Sequence, residues 1–222
     1  MPELTYAIGD VHGCRDRLKR LLARCDRHAG GATYRLILIG DYIDRGPDSR
    51  GVVETILGLQ RDMPGQVVCL RGNHEQIMLE AFASGDMALW LINGADATLA
   101  SYGVRHVADL PREHVAWFSS LPTSFDDGLR LFVHAGVDPS RGLDEQRDED
   151  LIWIREPFLS TERDYARLIV HGHTPQRNGR PDLRRWRLNL DTAAVYGGRL
   201  TAAVFNDEQR DPIAFLTDDG PQ

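Results

Sequence analysis

The sequence predicts an α/β fold in which two facing sheets carry helices on their outer sides, and three patterns predict it. Short apolar runs alternate with amphipathic segments of helix length through the first 70 residues. Each of those apolar runs ends in a polar turn that contains glycine. The C-terminal third then changes to the alternation typical of strands. Such elements bury a core by stacking as layers. At 222 residues the chain suits one domain, spanning 1–222.

Leu4 to Ile8 reads as the first strand, broken by Gly9-Asp10. From Cys14 to His28, Leu18, Leu21 and Leu22 recur at helical spacing among arginines, the pattern of an amphipathic helix. Gly30-Gly31 ends it, and Leu36 to Ile39 is a second strand. A near-continuous apolar strand fits a parallel sheet covered on both faces. Asp48 or Ser49 can cap a helix carrying Val52, Val53, Ile56, Leu57 and Leu59 before Pro64-Gly65. Val67 to Leu70 is a third strand. Right-handed crossovers between neighbouring parallel strands put all three polar turns at one edge of one sheet.

Residues from about 75 to 120 read as a helical insert beside that edge, with Ile77-Met78-Leu79, Met87 to Ile92 and His114 to Ser120 as its helical stretches. Leu129 to Val133 returns to strand and enters His134-Ala135-Gly136. Asp144 to Asp150 reads as a solvated acidic loop, and Arg177 to Arg187 as a solvated basic hairpin. Leu168-Ile169-Val170 leads into His171-Gly172-His173-Thr174-Pro175. Trp186 to Leu190, Leu200 to Phe205 and Pro212 to Leu216 are expected to build a second, mostly antiparallel sheet facing the first.

Composition narrows the function. A formal net charge of -7 argues against a nucleic-acid partner. Phosphorylated substrates remain compatible with it, because a metal site supplies its own local positive charge. Cys14, Cys25 and Cys69 are odd in number and lack CxxC spacing, so reduced thiols and a cytoplasmic location are expected. No signal peptide, membrane span or membrane partner is expected, and a monomer is compatible with the sequence.

The polar turns carry the chemistry. Ligands of open α/β sheets gather beyond the carboxyl ends of the strands. Asp10, His12, Asp41, Asn73, His134 and His173 all stand at such ends. Mixed carboxylate, imidazole and amide ligation suits two divalent cations such as manganese, with iron or zinc as alternatives. Asp41, central in the sheet, is the expected bridge between them. Asp10 and His12 are assigned to one metal, and Asn73, His134 and His173 to the other. His74 is expected to be a general acid whose imidazole is fixed by Asp44. Arg45 and Arg155 are candidate phosphate clamps, since a guanidinium fork matches two phosphate oxygens. The chemistry expected is in-line attack by a metal-bridging hydroxide.

Each residue alone is more simply a cap or turn residue; five such motifs, each after an apolar strand, are not. His28, His106 and His114 lack a partner motif and read as surface or satisfied core histidines. Trp90, Trp117 and Trp186 read as packing. His171 admits two readings, a support behind the ligands or a ligand in place of His173.

Gly9-Asp10-Val11-His12-Gly13, Gly40-Asp41-Tyr42-Ile43-Asp44-Arg45-Gly46, Gly72-Asn73-His74-Glu75, His134-Ala135-Gly136 and Gly172-His173-Thr174 together resemble the PPP-type serine/threonine phosphatases of the calcineurin-like metallophosphoesterase superfamily. The resemblance implies a four-layer α/β/β/α sandwich with a dinuclear metal centre. It also implies the ligand and phosphate-binding roles given above, with Asn73 near the phosphate and Asp44 and His74 as the acid pair. The expected function is a metal-dependent serine/threonine phosphoprotein phosphatase, a phosphoric monoester hydrolase. A sister branch hydrolyses symmetrical dinucleoside tetraphosphates; Asp44, Glu75 and Arg71 lean away from it. A non-catalytic phosphoprotein-binding adaptor would need a lost ligand or a damaged acid pair, and the sequence carries neither. Ala193 departs from the Asp-Thr-Gly that relatives usually carry, which would alter a turn behind the site and leave the ligands intact.

Overall fold

The computed structural model describes residues 4–218. Strand β1 (Leu4–Ile8) is followed by α1 (Arg15–Ala29), β2 (Tyr34–Leu38), α2 (Ser49–Asp62) and β3 (Val67–Cys69). β2 pairs in parallel with both β1 and β3, so their three C-terminal turns lie side by side. α1 buries Leu18, Leu21, Leu22 and Cys25, the stripe read from spacing, and Gly30 ends it in the left-handed conformation that glycine adopts without strain. Asp48 caps α2 by accepting the Gly51 N–H.

The insert forms α3 (Asn73–Ser84), α4 (Ala88–Ile92), α5 (Ala95–Tyr102) and α6 (Arg112–Ser120). After it come β4 (Ser124–Asp126), β5 (Arg130–Val133), α7 (Asp148–Trp153), β6 (Leu168–His171), β7 (Asp182–Leu183), β8 (Arg187–Asn189), β9 (Thr201–Phe205) and β10 (Ala214–Thr217).

Two expectations need correction. The C-terminal strands do not build a sheet of their own: the two sheets run β10-β9-β1-β2-β3 and β4-β5-β6-β8-β7. β9 pairs antiparallel with β1 and β10 on the first sheet, whereas β8 pairs in parallel with β6 on the second. The second sheet therefore has a parallel centre and antiparallel edges. Every residue of β9 is buried, as an internal strand covered on both faces requires. Alternation along one segment reports its faces and not its partner. The acidic stretch, in turn, contains a helix and not a loop throughout. Asp148, Glu149 and Asp150 form the first turn of α7, where the helix dipole favours negative charge, and Leu151 and Ile152 are buried.

Between the sheets, Ala7, Ile37 and Ile39 meet Phe132, Val170, Leu188 and Phe205. Tyr6, Ile8, Leu36 and Leu38 face outward against α1 and α2. Leu131, Val133 and Ile169 pack beneath Leu151 and Phe158 on the other side. The order helix, sheet, sheet, helix is the four-layer α/β/β/α sandwich, with a thin last layer.

One buried side chain fixes how the second and third turns meet. Glu75, in the first turn of α3, accepts the N–H groups of Asp41 (2.9 Å), Tyr42 (2.7 Å) and Gly72 (2.9 Å). The Gly72 contact closes back on the residue before the helix, as in a capping box. Replacing Glu75 with Gln would set an amide N–H₂ against backbone donors. The Glu75→Gln variant is expected to lose roughly 2 kcal/mol of unfolding free energy, read from the denaturant midpoint; an unchanged midpoint would show the clamp to be dispensable.

Candidate metal centre

All six residues read as ligands converge. Asp10, His12, Asp41, Asn73, His134 and His173 are each buried at the sheet edge. Asp41 belongs to two groups whose ligand atoms lie within coordinating reach of one another: His12, Asp41 and His74, and Asp41, His134 and His173. Its Oδ2 is 3.3 Å from His12 Nε2, and its Oδ1 is 3.4 Å from His134 Nε2. The Asn73 Oδ1 lies 2.9 Å from both His134 Nε2 and His173 Nδ1. Asp10 stands outside these groups. Its carboxylate accepts the His173 N–H at 3.1–3.2 Å and sits close against Gly172, where a Cβ would collide with Asp10 Oδ1.

The donor set fits cations. His12 Nδ1 donates to the Ile43 carbonyl (2.9 Å) and His134 Nδ1 to the Ile39 carbonyl (3.0 Å). Each contact fixes the tautomer and leaves Nε2 as a lone pair turned into the site. Lone pairs facing the oxygens of Asp41 and Asn73 repel unless a cation or a proton lies between them. Burial pushes His12 down to about 3 and holds His134 and His173 below the ordinary imidazole range, so protons are a poor answer. Burial works against the Asp41 charge, and of the imidazoles around it His74, held above its ordinary range, is the one that opposes that cost with charge. Asp10 is pushed up by burial and by the charges of Asp191 and Asp41. Buried carboxylates packed against neutral imidazoles are a site for divalent metal.

Backbone strain gathers at the same place. Non-glycine residues with positive φ are His12, Asp41, Asp44, Arg45, His173 and Ala193, all in the site's loops, and Ala166 elsewhere. Strained conformations persist where surrounding structure over-determines them, commonly at functional sites.

Asp44 and His74 meet as expected. His74 Nδ1 is 2.6 Å from Asp44 Oδ2, and its Nε2 turns toward the centre, 4.0 Å from Asp41 Oδ2. That second distance puts His74 within ligand reach as well. Burial lowers the His74 proton affinity, but Asp41 and Asp44 outweigh it and hold the imidazole above its ordinary range. Arg45 and Arg155 are both exposed: Arg45 Nη1 is 2.7 Å from His12 Nε2, and Arg155 Nη2 is 3.4 Å from the His173 carbonyl.

His171 is fully buried, bonded to the Gly172 carbonyl at 3.1 Å and set against Phe158, and belongs to neither ligand group. Sequence reasoning passed over several residues. Asp191 is buried beside the carboxylates, and burial together with the Asp41 charge raises it to about 6. Trp153 packs edge-on to His173, and the exposed Tyr196 lies under Arg45. Trp90, read as packing, also donates to Asp44. The likeness of Asp191-Thr192-Ala193 to an Asp-Thr-Gly motif was the signal for Asp191; the aromatics gave none.

The fold and this centre define a metallophosphoesterase. The chain belongs to the calcineurin-like phosphoesterases, whose family model matches residues 5–200. It is 34% identical over 208 residues to serine/threonine-protein phosphatase 1 of Salmonella typhimurium, covering 89% of this chain and 90% of that one. It is 28% identical over 225 residues to an asymmetrical bis(5'-nucleosyl)-tetraphosphatase of Anoxybacillus flavithermus, covering 88% and 87%. A crystal structure provisionally named a diadenosine tetraphosphatase superposes with a TM-score of 0.73 at 23% identity, over 98% of this chain and 93% of that one. No helix among the described residues is long and apolar enough to cross a membrane.

Two outcomes check the centre. Added manganese should raise the melting temperature, and Asp41→Asn should lower the content of both metals and remove that gain; a variant that still holds two ions would refute a bridging Asp41. At φ +59°, Ala193 pays the left-handed penalty that glycine avoids. Ala193→Gly should therefore raise stability by about 1 kcal/mol, read as a higher melting temperature.

Proposed function

We propose that the protein is a metal-dependent serine/threonine phosphoprotein phosphatase holding two divalent cations, with manganese the favoured metal. Asp10, His12, Asp41, Asn73, His134 and His173 would hold the cations. When bound, they acidify a water molecule and offset charge on the phosphoryl oxygens. The observation that carries the reading is the 2.6 Å contact between His74 and Asp44 at the edge of that centre. Expelling a serine or threonine alkoxide calls for a proton, and an imidazole aimed by a carboxylate provides one. Arg45 and Arg155 would bind the phosphate oxygens and orient the phosphorus between the water and His74. His74 Nε2 would then pass its proton to the leaving oxygen. The bacterial serine/threonine-phosphatase relative, matched along nine-tenths of the chain, supports the substrate class.

A second reading, hydrolysis of dinucleoside polyphosphates, is favoured by the tetraphosphatase relative matched over a similar length. A nucleoside diphosphate leaves without a strong acid, so the His74–Asp44 pair weighs against it.

Manganese-loaded protein offered a phosphothreonine peptide and diadenosine tetraphosphate in parallel should release phosphate from the peptide faster. Preferential cleavage of the dinucleotide would move the function to nucleotide hydrolysis. His74→Asn should cut turnover on the peptide by about 10²- to 10⁴-fold with metal content kept; loss of metal would make His74 a ligand instead.

A further inference from the structure

The helical insert reaches the acid pair through three residues spaced four apart. Trp90, on α4, is fully buried, and its Nε1–H donates to Asp44 Oδ1 and Oδ2 at 3.0 and 2.9 Å. Gly94, between α4 and α5, accepts the Arg45 N–H at 3.1 Å, and a Cβ at this position would press on Arg45 Cγ at 2.9 Å. Thr98, on α5, does two things at once: its hydroxyl donates to Asp44 Oδ1 at 2.7 Å and accepts the Asp44 backbone N–H at 2.8 Å. Ser49, whose hydroxyl is 3.0 Å from that of Thr98, shares that N–H at 3.1 Å. Asp44 and Arg45 both have left-handed backbone, at φ +72° and +68°. Such a dipeptide keeps its geometry only where its surroundings specify it.

The Asp44 carboxylate receives the Trp90 N–H, the Thr98 O–H and the His74 Nδ1 contact, with no exposed surface. A carboxylate with only the imidazole as partner could rotate about its side-chain torsion. With the other donors in place, a single orientation satisfies all of them, and that orientation aims His74 Nε2 at the centre.

We propose that Trp90 and Thr98 are positioning residues for the Asp44–His74 pair, so that the insert sets how well the protein expels leaving groups that need a proton. The inference rests on the phosphomonoesterase reading above. In the step concerned, the phosphorus–oxygen bond to the leaving group breaks, and the oxygen of the attacking water forms the new one. The leaving oxygen takes the proton from His74 Nε2, and the proton lost by the water returns to the imidazole through solvent. Leaving groups that are themselves good acids need little of this help. Trp90 and Thr98 should thus matter most for alkyl and weakly acidic aryl esters.

The test is a series of aryl phosphates of graded leaving-group acidity, from phenyl to 4-nitrophenyl phosphate, hydrolysed by the manganese-loaded full chain. Trp90→Phe keeps the ring and removes the N–H; Thr98→Val keeps the shape and removes the hydroxyl. Each variant should lose about 10- to 100-fold in kcat on phenyl phosphate and markedly less on 4-nitrophenyl phosphate, with KM and metal content held. Thr98→Ser, which keeps the hydroxyl, should restore the wild-type dependence. Equal losses along the series, or losses carried by KM, would overturn the positioning role and leave the phosphatase reading standing. A wild-type protein that hydrolyses none of the series would overturn both. If Trp90→Phe melts below the assay temperature, the Thr98 pair of variants decides the outcome.

Discussion

The turn after β2 must hold Asp41 in a left-handed conformation with its carboxylate buried, and the remainder of the site is arranged around that constraint. At φ +53° the residue is disfavoured intrinsically, and burial makes its charge costly. Glu75 offsets the first problem by accepting the N–H groups on both sides of the turn and that of Gly72. The His74 ring, favoured in its charged form, answers the second in part. Gly72 completes the fit, since a Cβ there would run into Asp41 Oδ1. A capping interaction of α3 and the placement of the central carboxylate are therefore one structure.

The electrostatics follow a common plan. Each histidine that turns Nε2 toward Asp41 from the flanking loops spends Nδ1 on a backbone carbonyl, as His12 does on Ile43 and His134 on Ile39. His74 differs, because its Nδ1 meets a carboxylate. A carbonyl fixes a tautomer and favours the charged ring too little to offset burial, whereas a carboxylate adds a full opposite charge. The same side chain type is divided in this way between a neutral lone pair turned into the candidate metal centre and a ring favoured in its charged form, by what stands behind it. The two arginines remain at the rim, exposed and close to His12 and His173, where a phosphoryl group could reach them.

The insert is joined to this plan at Asp44 and Arg45. α4, the turn after it and α5 present Trp90, Gly94 and Thr98 in order to those two residues, while Leu89 and Ile92 of α4 stay exposed. One short helix thus faces the acid pair on its inner side and solvent on its outer side. Its inner contacts are polar and directional, so the insert is more than a hydrophobic cover.

Much was legible before any coordinates. Apolar runs ending in glycine and a carboxylate, imidazole or amide located β1, β2, β3, β5 and β6 and the polar residues that converge beyond them, because strand ends and tight turns are local properties of the chain. The Asp44–His74 contact also came from sequence, since the roles that the motifs imply require it. Three things did not. The partner of β9 depends on which sheet edge is open, and alternation along the strand is blind to that. The α7 helix was hidden because its first turn is acidic, and the dipole that welcomes those charges exists only once the helix forms. The link from Trp90 and Thr98 to Asp44 spans about fifty residues, and a tryptophan or threonine in a helix carries no mark of such a contact. Sequence by itself determined which groups stand at the strand ends of the candidate site, because their identities and the turns that present them are set by near neighbours. Only the tertiary structure decided how those groups are aimed, because orientation is set by donors and acceptors brought together from distant parts of the chain.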